Sequence, residues 1–208
     1  MHNNPVIEKL VGRPRLTIVL VHGRTLTPAY MDALAERLAL QDVRYVFPAA
    51  DGNSWYPKTL FASLAENQPA LDAAIAQYET VISGLLDEGA PLGRIVIGGF
   101  SQGACLTAEY LSRHPRRFGA ALLWTGGLIG PAGRTWPPQP ALQGLPVYLS
   151  TSKVDPFVPA SRVTETANWL KASGALPELD IFETREHMVS DEEIDRGRRI
   201  VAALMVAG

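Results

Sequence analysis

Six runs rich in Val, Ile, Leu and aromatic residues interrupt the chain, at 16–21, 43–47, 94–99, 118–124, 146–151 and 179–184. Several are apolar at nearly every position, as a strand must be when helices cover both faces of its sheet. Between the runs lie stretches of helical period at 30–40, 68–87, 102–113, 159–173 and 191–206. In the second of these, Leu71, Ile75, Tyr78, Ile82 and Leu85 recur every three or four residues and mark one buried stripe. Ser190 ahead of Asp191, Glu192 and Glu193 supplies a cap and acidic residues for the start of the last helix. Strand alternating with helix predicts an α/β fold, with a mostly parallel central sheet and helices on both faces.

With 208 residues, no internal repeat and no shift in composition, the chain is expected to form a single domain over 1–208. Lys plus Arg number 19 against 21 Asp plus Glu, a net charge of −2. Nucleic-acid binding requires a basic excess that displaces phosphate counterions, so no nucleic-acid partner is expected. The apolar run 16–21 is far short of the roughly 20 residues of a membrane span. Residues 1–9 lack the basic and apolar regions of a signal peptide. Cys105 is the only cysteine, which excludes an internal disulfide and a cysteine-rich metal site. A cytoplasmic location is therefore expected.

Two stretches follow neither period. Residues 49–60 mix turn formers with an aromatic pair, and 128–144 carry four prolines and three glycines. Ligands of α/β sheets bind beyond the carboxyl ends of the strands. Both stretches are thus candidate rim loops, the second equally readable as a plain connector.

Gly99-Phe100-Ser101-Gln102-Gly103 fits G-x-S-x-G directly after an apolar strand and directly before a helical segment. A serine at such a bend takes strained backbone angles, and glycines two positions either side let neighbouring chains approach. Its hydroxyl is a weak nucleophile, so it needs a base and a group that orients the base. The expected chain order is serine, then carboxylate, then histidine, each after a later strand. Asp155 follows the 146–151 run and His187 follows the 179–184 run. The other histidines are worse placed: His2 lies at the terminus, His22 precedes the serine and is better suited to shaping a loop, and His114 closes a helix. Asp180, Glu183 and Glu186 compete as the carboxylate, but strand-end position and the flanking Pro156 and Pro159 favour Asp155. An oxyanion would meet the backbone N–H of Gln102, first in its helix, and that of Arg24 in the loop after the first predicted strand.

This arrangement resembles the phospholipase/carboxylesterase family of α/β-hydrolases, which includes the acyl-protein thioesterases. His22-Gly23, the segment from Gly98 to Ala104, Asp155-Pro156-Phe157-Val158-Pro159 and His187 carry the likeness, which runs over nearly the whole chain. It implies an α/β-hydrolase fold without a large cap, esterase or thioesterase activity through an acyl-enzyme, and no cofactor or metal. By the motif matches, Ser101 would be the nucleophile, His187 and Asp155 its partners, and Arg24 and Gln102 backbone oxyanion donors. The chain departs from the thioesterases where Arg24-Thr25-Leu26 follows His-Gly, and where Trp55-Tyr56-Pro57 stands for Trp-Phe-Asp. Both departures fall in the expected substrate rim, so the expected substrates are small acyl or aromatic esters rather than long-chain acyl proteins.

Trp55 and Tyr56 are suited to flank an acyl or aromatic group, or else to shield their own loop. The Arg24 guanidinium could read a substrate carboxylate or pair with a nearby acid. Cys105, one turn after Ser101, reads as a small buried hydrophobe. A lactone hydrolase or peptidase using the same residues, and a non-catalytic binding protein of this fold, are the competing functions. An exposed strand face or rim loop could also pair subunits into a homodimer.

Overall fold

Seven strands, β1 (Val6–Val11), β2 (Leu16–Val21), β3 (Val43–Pro48), β4 (Ile95–Phe100), β5 (Ala120–Trp124), β6 (Pro146–Ser152) and β7 (Leu176–Phe182), form one sheet in the computed structural model, which describes residues 6–206. Their order is β1-β3-β2-β4-β5-β6-β7, and all neighbours run parallel except β1, which is antiparallel to β3. Between them come the helices α1 (Pro28–Leu38), α2 (Leu64–Asn67), α3 (Ala70–Asp87), α4 (Gln102–Arg113) and α5 (Ala160–Ala172), and α6 (Asp191–Val206) follows β7. No large cap stands over the sheet among the described residues.

The unbroken hydrophobicity of the central strands has a direct cause. In β2, Val19 and Val21 face a core built with α3, α4 and α5, whereas Leu16, Ile18 and Leu20 face a second core built with α1 and α6. Side chains alternate between faces, and here both faces are dry. The helix ends follow local chemistry. Pro28 opens α1, where its missing N–H costs nothing. At α6, Ser190 and Glu193 cap each other reciprocally: the Ser190 N–H donates to Glu193 Oε2 at 2.7 Å and the Glu193 N–H to Ser190 Oγ at 3.3 Å.

The structure refines the sequence expectation in several places. Strand β1 carries no apolar run, since most of its side chains are exposed at the sheet edge and its pairing with β3 decides it. Strand β7, the other edge, starts three residues before the predicted run and ends two before its close. The predicted helix over 68–87 begins at Ala70, with a separate capped turn at α2 before it. Residues 128–144 are a connector anchored at its start, where Leu128 and Ile129 are fully buried and the buried Arg162 donates to the carbonyls of Leu128 and Gly130 at 2.7 and 2.9 Å, while most of 131–141 is exposed. His2 lies outside the described residues.

The chain leaves β2 toward β3 on one side and returns to β4 on the other, so a crevice opens beyond the carboxyl ends of β2 and β4. Helix α4 starts there, hard against the end of β2. A Cβ built at Gly103 would sit 2.0 Å from the Val21 carbonyl oxygen and 2.6 Å from that of His22. Backbone cannot yield to such contacts without moving the helix. Gly103→Ala is therefore expected to lower stability by about 3 kcal/mol, read as a reduced urea midpoint with little change in the slope of the transition.

Candidate active site

Strand β4 ends at Phe100 and α4 begins at Gln102, leaving Ser101 alone to make the turn. Its backbone sits at φ 54° and ψ −120°, a conformation that costs about 1–3 kcal/mol for a residue with a side chain. The surroundings enforce it. The Ser101 N–H donates to the Trp124 carbonyl at the end of β5 at 3.0 Å, and the Ser101 carbonyl accepts from Cys105 N–H inside α4 at 3.0 Å. The side chain is thereby presented at the mouth of the crevice.

His187 arrives from the loop after β7, and its Nε2 lies 2.9 Å from Ser101 Oγ. Its Nδ1 lies 2.7 Å from Asp155 Oδ2. A carboxylate only accepts, so the ring proton belongs on Nδ1 and the Nε2 lone pair faces the hydroxyl. The carboxyl of Asp155 is fully buried. Its Oδ1 takes the N–H groups of Phe157 at 3.0 Å and Val158 at 2.8 Å, in the turn after β6. Burial pushes the Asp155 pKa up, but the His187 hydrogen bond and the two N–H donors outweigh it and hold the carboxyl below its ordinary range. The imidazole is packed between Phe100 and Phe157, with ring centroids at 5.0 and 4.8 Å. This arrangement can take a proton from a hydroxyl and stabilise the resulting imidazolium. Two of the three competing carboxylates are engaged elsewhere: Asp180 with Tyr148 and Arg196, Glu183 with Lys153.

The loop after β2 closes the other side. Gly23 lets it pass close to the serine, since a Cβ there would come within 3.2 Å of Ser101 Cβ. His22 is fully buried, and burial lowers its pKa. Its Nε2 accepts from Ala50 N–H at 3.1 Å, which leaves Nδ1–H to donate to the Gly23 carbonyl at 2.8 Å. With that carbonyl turned toward His22, the Arg24 N–H of the same trans peptide points the opposite way. The Gln102 N–H stands at the start of α4, where helix geometry provides no internal acceptor. Together with the helix dipole, these two groups can receive negative charge.

Two side chains behave differently from the sequence expectation. The guanidinium of Arg24 pairs with no acid among the described residues and lines the cleft at an exposed position. It donates to the carbonyls of Tyr56 at 3.0 Å, Pro57 at 2.8 Å and Lys58, and so fastens the 56–58 segment to the loop after β2. Trp55 does not flank the cleft. It is buried behind the loop, its Nε1–H donating to the His22 carbonyl at 2.8 Å, because a buried indole needs an acceptor. Tyr56 does line the cleft, held by the Gln102 side chain, whose Nε2 donates to the Tyr56 carbonyl at 2.8 Å while Oε1 accepts Trp55 N–H at 3.0 Å.

The cleft measures about 1140 Å³ and contains Ser101 and His187. Leu26, Tyr30, Leu60, Phe61 and Phe157 stand in its apolar wall. Of these, Phe157 stood in a motif, Leu26 in the departure after His22-Gly23 and Leu60 in the 49–60 stretch, while Tyr30 and Phe61 carry no signal because each is an ordinary hydrophobe until the loops are placed. Cys105 borders the cleft with a thiol that burial pushes up to about 11, so it is uncharged at neutral pH. His114 ends α4 and stacks on Tyr110, remote from the cleft lining. Among the described residues no group of three or more His, Cys, Asp or Glu could hold a metal ion, and no helix is long and apolar enough to cross a membrane.

Comparison with known proteins yields one family. The profile described as phospholipase/carboxylesterase matches residues 2–202. A solved phospholipase/carboxylesterase from Dyadobacter fermentans DSM 18053 is 36% identical, with 97% of each chain covered and a TM-score of 0.90. Acyl-protein thioesterase 1 of Schizosaccharomyces pombe is 26% identical over 91% of each chain. The structure of Zea mays acyl-protein thioesterase 2, 21% identical over 97% of this chain and 99% of its own, shares the fold with a TM-score of 0.76.

The bonding of Asp155 sets a pH dependence. A carboxyl held below its unfolded value contributes stability above that value and loses it as pH falls through the depressed one. The native chain is therefore expected to be more stable than Asp155→Asn at pH 7. The difference should shrink as pH falls below about 4, as urea denaturation of both proteins across that range would report.

Proposed function

The chain belongs to the phospholipase/carboxylesterase family and is a serine hydrolase of carboxylic ester or thioester bonds, and we propose that Ser101, His187 and Asp155 carry out this reaction on small acyl or aromatic substrates. The observation that carries the reading is the 2.9 Å approach of His187 Nε2 to Ser101 Oγ, with Nδ1 already committed to Asp155. As Oγ bonds to the acyl carbon, its proton passes to Nε2. The carbonyl oxygen becomes an oxyanion and meets the N–H groups of Arg24 and Gln102. Collapse breaks the bond to the leaving group, which takes the proton from Nε2, and leaves the acyl group on Ser101. Water, deprotonated by the same imidazole, then releases the acid and restores the hydroxyl. Asp155 holds the tautomer and balances the imidazolium throughout.

The substrate class rests on the cleft. Its aromatic and aliphatic wall favours an apolar acyl or aryl group, and Tyr56 rather than Trp55 would contact it. The unpaired thiol of Cys105 suits a reducing compartment, which supports the cytoplasm as location.

Ser101→Ala is expected to lower hydrolysis of a short-chain p-nitrophenyl ester by roughly 10⁴-fold or more, and to abolish labelling by a fluorophosphonate probe. Retention of a tenth of the activity would exclude Ser101 as nucleophile. Because the Arg24 guanidinium fastens the 56–58 carbonyls, Arg24→Met should reduce turnover of a neutral ester and of its ω-carboxylate analogue by the same factor. A loss confined to the carboxylate substrate would restore a charge-reading role.

A further inference from the structure

We infer that Arg185, backed by the buried Glu193, is a positioning residue that holds the base against the nucleophile. Arg185 stands two positions before His187, and its side chain is 6% exposed. The guanidinium fork reaches around the histidine: Nη1 donates to the carbonyls of Glu186, at 2.6 Å, and of Met188, the residues on either side of His187. From Nη2 it donates to Thr125 Oγ1 at 2.7 Å. Thr125 directly follows Trp124, whose carbonyl takes the Ser101 N–H, and it sits at φ 53°. The bend that carries the nucleophile and the loop that carries the base are thus tied to adjacent residues at one strand end.

Glu193 completes the device from the first turn of α6. It is fully buried and lies 3.3 Å from Arg185 Nε, and the same carboxylate oxygen accepts the Ser190 N–H. The loop carbonyl of Val189 is held in addition by Arg37 Nη1 at 2.9 Å. The Arg185 backbone is fixed as well, its carbonyl accepting from Ser152 Oγ at 2.6 Å at the end of β6. A planar, always-charged fork is the side chain that can hold two carbonyls and a hydroxyl at once, and its charge can remain buried because Glu193 answers it. Asp155 orients the imidazole ring; Arg185 orients the backbone from which the ring projects.

This inference rests on His187 acting as base and acid in the proposed reaction, and the test separates the two claims. Loss of aim in His187 weakens protonation of the leaving group as well as deprotonation of Ser101. A p-nitrophenolate departs without a proton, whereas an alkoxide requires one. The measurement is kcat/KM for the p-nitrophenyl and ethyl esters of one acyl group, per active serine counted by the fluorophosphonate endpoint. In Arg185→Met/Glu193→Gln, which leaves no lone buried charge, kcat/KM should fall about 10-fold for the activated ester and about 100-fold for the ethyl ester. Arg185→Lys keeps a charge for Glu193 but cannot span both carbonyls, and should show the same ordering with smaller losses. Equal losses on the two esters in both variants, or none, would overturn the positioning role while leaving the catalytic reading intact. A native protein that turned over neither ester would overturn both.

Discussion

The bend at Ser101 is a piece of backbone held where a side-chain-bearing residue does not rest by itself, and most of the site is assembled around that hold. Three strand ends contribute. The Trp124 carbonyl of β5 takes the Ser101 N–H, the end of β2 accepts the approach of Gly103, and β4 supplies the straight run that the bend terminates. The strain is local and of order 1–3 kcal/mol, while the contacts that impose it belong to the buried sheet. Relaxing the bend would mean withdrawing α4 from β2. Position and direction of the hydroxyl are consequently set by backbone packing and need no ordering when a substrate arrives.

The second consequence concerns the polar groups behind the cleft. Arg24 and Gln102, whose N–H groups can face an oxyanion, both send their side chains to the Tyr56 carbonyl. The donor pair and the aromatic wall are therefore braced against one another. His22 adds to this from below, neutral in its burial and bonded at both ring nitrogens. The buried His22 and Gln102 side chains are satisfied, as a low-dielectric interior requires, while Arg24 joins them from an exposed position at the cleft.

Buried charge is handled in the same way on the opposite side. The Asp155 carboxylate is answered by two N–H groups and an imidazole, and the Arg185 guanidinium by Glu193. Arg162, 1% exposed, lies under the Phe61 ring at 4.7 Å and holds the 128–130 segment, so a charged residue outside the cleft supports its apolar wall. Each of these charges would be costly alone, and each is placed where its partners also tie two loops together.

Much of this is local and was legible in residue order. Runs apolar on both faces identify the central strands, and the G-x-S-x-G bend between strand and helix identifies Ser101. Strand-end position and elimination pick out Asp155 and His187, because strand period, turn chemistry and chain order are properties of short segments. What the residues alone left open depends on contacts across the fold. Strand β1 is decided by its partner β3, since an exposed edge has no hydrophobic run to announce it. Trp55 and Tyr56 look alike as neighbours, yet one is drawn inward by the His22 carbonyl and the other faces the cleft. The task of Arg24 was set by three carbonyls more than thirty residues away, and that of Arg185 by Thr125 and Glu193 on other elements. A long charged side chain can serve a ligand, an acid or a backbone, and only the packed structure determines which acceptor lies within reach.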